Sequence, residues 1–122
     1  MKIQIKDAAI ITLDPENTQF PCGSLCIDDG TITYIGSNEG VPVEFSPDRV
    51  IDGRGCVVLP GLINCHTHLG MTLFRGYAND MPLWEWLSER IWPLEDRLTS
   101  QDVYWASLLG MMEMLRSGTT TF

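Results

Sequence analysis

His66 and His68, the only two histidines in the chain, stand one residue apart at the end of the apolar run Val57-Val58-Leu59-Pro60-Gly61-Leu62-Ile63. If that run is a buried strand, side chains two residues apart leave on the same face, so both imidazoles point into one space. Neutral imidazole nitrogens bind a divalent transition ion at about 2.0–2.1 Å, and two from one strand end supply half of a tetrahedral shell. The spacing therefore predicts a metal site at His66 and His68. Cys65 lies between Asn64 and His66 but faces away by alternation, which makes it a poor third ligand.

Charge and cysteine content narrow the partners and the compartment. The 122 residues, 44% of them hydrophobic, are enough for one domain with a core. Sixteen acidic residues against eight basic leave a formal charge of -8, and the arginines are scattered singly, which excludes a nucleic-acid partner. Cys22, Cys26, Cys56 and Cys65 form no Cys-x-x-Cys pair and read as reduced thiols of a cytoplasmic protein, with a disulfide as the minor alternative. The opening Met1-Lys2-Ile3-Gln4-Ile5-Lys6-Asp7 has no signal-peptide apolar region, and Ala8 to Leu13 is too short to span a bilayer, so no membrane partner is expected.

Along the chain, Lys2 to about Leu13 alternates β-branched residues and predicts one or two short strands broken at Lys6-Asp7. Asp28-Asp29-Gly30, between Ser24-Leu25-Cys26-Ile27 and Thr31-Ile32-Thr33-Tyr34-Ile35, predicts a β-hairpin. A loop over 37–48 leads to a strand at Val50-Ile51-Asp52. Residues 1–56 thus read as short strands with unpaired edges that need strands from elsewhere.

Past the histidines, Pro82 to Trp92 predicts a short helix that Pro93 ends or kinks. Thr99-Ser100-Gln101-Asp102 predicts a capped start for a helix over Val103 to Arg116, with Ala106, Leu109, Met112, Met114 and Leu115 at helical spacing and Gly118 as its stop. Thr119-Thr120-Thr121-Phe122 resumes β-type residues. Strand, helix and strand in that order make a βαβ unit with parallel strands, part of a larger sheet that looks cut off.

The block Pro60-Gly61-Leu62-Ile63-Asn64-Cys65-His66-Thr67-His68, followed by Met71-Thr72-Leu73-Phe74-Arg75-Gly76 and Pro82-Leu83-Trp84-Glu85-Trp86-Leu87, resembles the metal-dependent amidohydrolase superfamily. Within it, the likeness is to the 5'-methylthioadenosine/S-adenosylhomocysteine deaminases and the related triazine hydrolases. The resemblance implies an α/β fold: residues 1–56 as the leading strands of a composite β-sandwich, and 57–122 as the first βαβ unit of a truncated (β/α)8 barrel. His66 and His68 would then sit at the C-terminal end of the first barrel strand, where barrel active sites are built.

For chemistry, the resemblance implies one divalent ion, zinc or sometimes iron, held by the His-x-His pair with ligands from later strands. The implied reaction is hydrolytic deamination of adenine nucleosides by metal-bound hydroxide. Trp86 matches a tryptophan that walls the substrate pocket, and Glu95 matches a glutamate that takes ribose hydroxyls, for which a two-oxygen carboxylate is apt. Read without the family, Trp86 is as well explained as a packing residue, and Glu95-Asp96-Arg97 as a solvated charge cluster. No residue of this chain matches the catalytic acid/base, so the chain alone is expected to be inactive. A triazine or other heterocycle hydrolase and a non-catalytic remnant are the alternatives, and homo-oligomerisation is left open.

Overall fold

The computed structural model describes all 122 residues and divides into two compact units, Met1–Pro60 and Gly61–Phe122. The first unit is a single sheet of β1 (Lys2–Ile11), β2 (Gln19–Asp28), β3 (Thr31–Ser37), β4 (Arg49–Asp52) and β5 (Val57–Val58). Its strand order is β3-β2-β1-β4, with β5 also on β1. The β1–β2 and β2–β3 pairs are antiparallel, whereas β4 and β5 run parallel to β1.

The predicted hairpin is present as a two-residue turn in which Asp29 (φ 44°) and Gly30 (φ 81°) both take positive φ, the twist that suits a right-handed ribbon. The predicted break at Lys6-Asp7 is instead an irregularity inside one continuous strand: the register with β2 shifts between Ile5 and Ala8, and Asp7 has φ 62°. An Asn38 side chain explains how the bulge is held, since its amide N–H donates to the Asp7 carboxylate at 2.7 Å and its amide oxygen accepts from the Ser24 hydroxyl at 2.7 Å. The unit's core is Ala8, Ile10 and Leu25, with Ile5, Phe20, Ile27 and Val58 packed around it.

The run from Val57 to Ile63 is not one strand. Val57 and Val58 pair with Ala9 and Ile10 in the first unit, while Leu62 and Ile63 form β6 in the second. Pro60, which has no N–H to place in a ladder, separates the two pairings. Val57 and Val58, read from sequence with the second segment, therefore pair with the first.

In the second unit β6 (Leu62–Ile63) pairs in parallel with β7 (Thr119–Thr121), and the chain between them is helical, so the βαβ order is present. A 3-10 helix over Leu69–Phe74 follows the histidines. Then α1 (Leu83–Glu85), a π-helical segment over Trp86–Ile91 and α2 (Trp92–Glu95) run on without interruption, so Pro93 does not end the helix. It lies at the second position of α2, directly after the π segment, where the change of hydrogen-bond register accommodates a residue without an N–H.

Helix α3 (Ser100–Arg116) starts at a capping box: Thr99 Oγ1 accepts from the Asp102 N–H at 3.2 Å, and Asp102 accepts from the Thr99 N–H at 2.9 Å. Its buried side is narrower than its sequence pattern suggests. Ala106 and Gly110 are buried, whereas Leu109, Met112 and Leu115 are exposed. Gly110 lets α3 approach the 3-10 helix closely; a Cβ there would sit 2.6 Å from Leu69 Cδ2. No helix is long and apolar enough to cross a membrane.

Candidate functional site

The site starts where β6 ends. The Leu62 N–H donates to the Gly118 carbonyl at 2.8 Å and the Asn64 N–H to the Thr121 carbonyl at 2.9 Å, so the parallel ladder holds the chain up to Asn64. His66 and His68 lie beyond the strand, in irregular backbone. Their convergence, predicted above from strand alternation, thus occurs outside the strand. Asn64 Oδ1 accepts from the His66 N–H at 3.1 Å, an Asx turn that bends the chain just before the pair. On the other side the His68 carbonyl accepts from the Met71 N–H at 3.0 Å, the first bond of the 3-10 helix.

Between these two anchors, His66 Nε2 and His68 Nε2 approach to 2.9 Å, with ring centroids 4.9 Å apart and planes tilted by 53°. One ring donates an N–H to the other at this distance. Two nitrogens sharing one tetrahedral ion would stand about 3.3 Å apart, so a small ring rotation separates the observed pair from bidentate ligation. The donor chemistry, two imidazoles meeting nitrogen to nitrogen on the exposed segment after β6, therefore fits a divalent transition ion. No group of three or more His, Cys, Asp and Glu residues has metal-binding spacing, so His66 and His68 are the candidate ligands of this chain.

A cavity of about 660 Å³ adjoins the pair, and His68, Trp86 and Glu95 all line it. His66 is not among its lining residues. Trp86 is half-buried at the first position of the π segment, and Glu95 is half-buried at the end of α2. The wider π turns carry Trp86, Leu87 and Ile91 along the same wall, and Trp92 continues it at the start of α2, consistent with the concentration of π segments at functional sites. Met71, Phe74 and Met114 add apolar surface.

Two polar features of this wall were not singled out from sequence. Arg75 and Glu113 form a two-bond pair, Nη1 to Oε1 at 2.9 Å and Nη2 to Oε2 at 2.7 Å, tying the end of the 3-10 helix to α3. Hydrogen bonding to Arg75 holds the Glu113 carboxyl below its ordinary pKa and raises that of the guanidinium. With Arg75 so neutralised, Glu95 is the carboxylate of the wall that takes part in no ion pair. Asn64 is the other, and its only sequence signal is an Asx-turn residue placed two positions before a histidine.

The sequence pattern of the amidohydrolase family matches residues 57–122. A 5-methylthioadenosine/S-adenosylhomocysteine deaminase of Desulforamulus reducens is 47% identical over 121 residues, which is 99% of this chain and 28% of that protein. An adenosine deaminase from Xanthomonas campestris, solved with bound zinc, superposes with a TM-score of 0.87 at 33% identity, over 97% of this chain and 27% of that one. Atrazine chlorohydrolase TrzN from Arthrobacter aurescens, also solved with zinc, gives a TM-score of 0.81 at 26% identity over 97% of this chain and 27% of that one. The chain thus spans little more than a quarter of the length of the proteins it matches. With the His-x-His segment inside the matched region and the likeness extending across nearly the whole sequence, the chain belongs to the amidohydrolase family.

Proposed function

We propose that this chain supplies the first two metal ligands and one wall of the substrate pocket in a hydrolytic deaminase of adenine nucleosides, of the 5'-methylthioadenosine/S-adenosylhomocysteine type. The observation that carries the reading is that His68, Trp86 and Glu95 border a single cavity beside the converged imidazoles. His66 and His68 would hold the ion through Nε2, which requires both rings neutral with the remaining proton on Nδ1. A divalent ion so bound supplies Lewis acidity and brings the pKa of water to about 7, which permits hydrolysis at neutral pH. Zinc is the favoured ion, in keeping with the two zinc-containing structures, and iron is the alternative.

The remaining work falls to residues of the pocket wall. The Glu95 carboxylate accepts hydrogen bonds from two adjacent ribose hydroxyls, and Trp86 offers a flat apolar face to a purine or an alkylthio group. The paired Arg75 does not compete for Glu95, so the carboxylate stays available to hydroxyl donors. The same reading assigns the first unit, 1–60, to a composite β-sandwich and 61–122 to the opening of a (β/α)8 barrel. The four free cysteines support a reducing, cytoplasmic setting.

The test is ammonia release from S-adenosylhomocysteine and 5'-methylthioadenosine, with atrazine run in parallel, by the zinc-loaded enzyme in which this chain is joined by the later-strand ligands and acid/base that it does not itself contain. Nucleoside turnover whose KM rises about tenfold or more in Glu95→Gln supports the reading, that being the worth of hydrogen bonds to a charged acceptor. Dechlorination of atrazine without nucleoside turnover would instead favour the triazine-hydrolase reading that the likeness to TrzN supports.

A further inference from the structure

We propose that Asn64 is a positioning residue for the histidine pair: by accepting the His66 N–H on its side-chain oxygen, it sets the turn that makes the two Nε2 atoms meet. This inference rests on the metal reading above and assigns a cause to the geometry of that site. Its basis is the interruption between strand and ligands. The last backbone rung of the parallel ladder is the Asn64 N–H to Thr121 carbonyl bond at 2.9 Å, and beyond it no strand pairing constrains residues 65–68.

Left to itself, such a segment orders its side chains poorly, because each free backbone residue retains entropy of its own. Asn64 extends the constraint by one step. Its backbone is fixed by β7, its Oδ1 takes the His66 N–H at 3.1 Å, and its Nδ2 reaches Met114 Sδ on α3 at 3.8 Å. The Asn64 side chain thus joins strand, ligand backbone and helix, and it is half-buried while both histidines are exposed. His68 needs no such help, since the 3-10 helix anchors its carbonyl. The arrangement is the backbone counterpart of the outer hydrogen bonds that orient metal-ligating histidines, whose loss costs 10- to 100-fold in metal affinity.

The experiment compares the unsubstituted protein with Asn64→Ala and Asn64→Asp, the latter keeping an acceptor oxygen in the same place. Two readouts are taken: the ring-to-ring nuclear Overhauser contact between His66 and His68 without metal, and the dissociation constant for Co(II) from its visible absorption. Asn64→Ala is expected to lose the ring contact and bind Co(II) about tenfold more weakly, while Asn64→Asp restores the ring contact. A ring contact unchanged in Asn64→Ala would overturn the proposal. So would its loss in a folded Asn64→Asp, which would point to the Nδ2–Met114 side of the amide. Should Asn64→Ala fail to fold, Asn64→Leu, of similar volume but without an acceptor oxygen, takes its place with the same expected and overturning outcomes. Failure of the unsubstituted protein to bind Co(II) would count against the metal reading, and the metal-free ring contact would still decide the role of Asn64.

Discussion

The proposed chemistry rests on single residues, through nitrogen and oxygen atoms whose positions are set by their neighbours. His66 and His68 meet at 2.9 Å through their Nε2 atoms, so each is expected to be needed for metal retention. Replacing either by alanine should leave one imidazole and weaken zinc binding by about tenfold or more, measured as the dissociation constant in a zinc titration. The His-x-His spacing was legible because an i, i+2 pair of the chain's only histidines is a chemical signature in itself. Its mechanical cause was not, because an Asx turn depends on which backbone N–H lies within reach of Asn64. Glu95 shows the same division: its carboxylate could be read, but its separation from Arg75 rests on Arg75 being taken by Glu113, 38 positions along the chain.

Secondary-structure elements position those residues, and close contacts are where they are most sensitive. Gly61 opens β6 against Thr120, where an added Cβ would lie 2.7 Å from Thr120 Cβ, too close for a side-chain rotation to relieve. Gly61→Ala should therefore destabilise the β6–β7 pair by about 1–3 kcal/mol, seen as a lower melting temperature and a loss of amide protection at Asn64. The cap of α3 was predicted from Thr99 and Asp102 and is present in both directions, and Thr99→Ala should cost about 1 kcal/mol in thermal unfolding.

Acid should act on the same elements. Hydrogen bonds from Thr99 lower the Asp102 pKa, hydrogen bonding to Arg75 lowers that of Glu113, and Arg54 holds Asp52 at about 2. A carboxyl depressed in the folded state contributes stability above its unfolded pKa and loses it as pH falls through the folded one. Melting temperature is thus expected to be level above about pH 5 and to fall progressively between about pH 4 and pH 2. A melting temperature that rose over that interval would contradict the assignment of these pairs. The π segment before Pro93 was not legible, since apolar spacing over so short a stretch does not distinguish helical hydrogen-bond registers.

At the scale of the whole molecule, much apolar surface faces solvent: Trp84 is 72% exposed, Leu115 65% and Met112 61%. The formal charge of -8 opposes self-association at neutral pH. Near the sequence pI of about 4.5 that repulsion vanishes, and light scattering should report reversible association that salt does little to prevent. By itself the sequence determined the succession of strands and helices, the hairpin turn, the capped helix and the two candidate ligands, because turn chemistry, periodicity and donor type are local properties. Only the tertiary structure decided that the run from Val57 to Ile63 divides between two sheets, that Ala106 and Gly110 form the buried side of α3, and that Trp86 and Glu95 share a cavity with His68. Those outcomes depend on which distant surfaces fit together, and pairing partners and close packing are properties of contacts that no single stretch of chain contains.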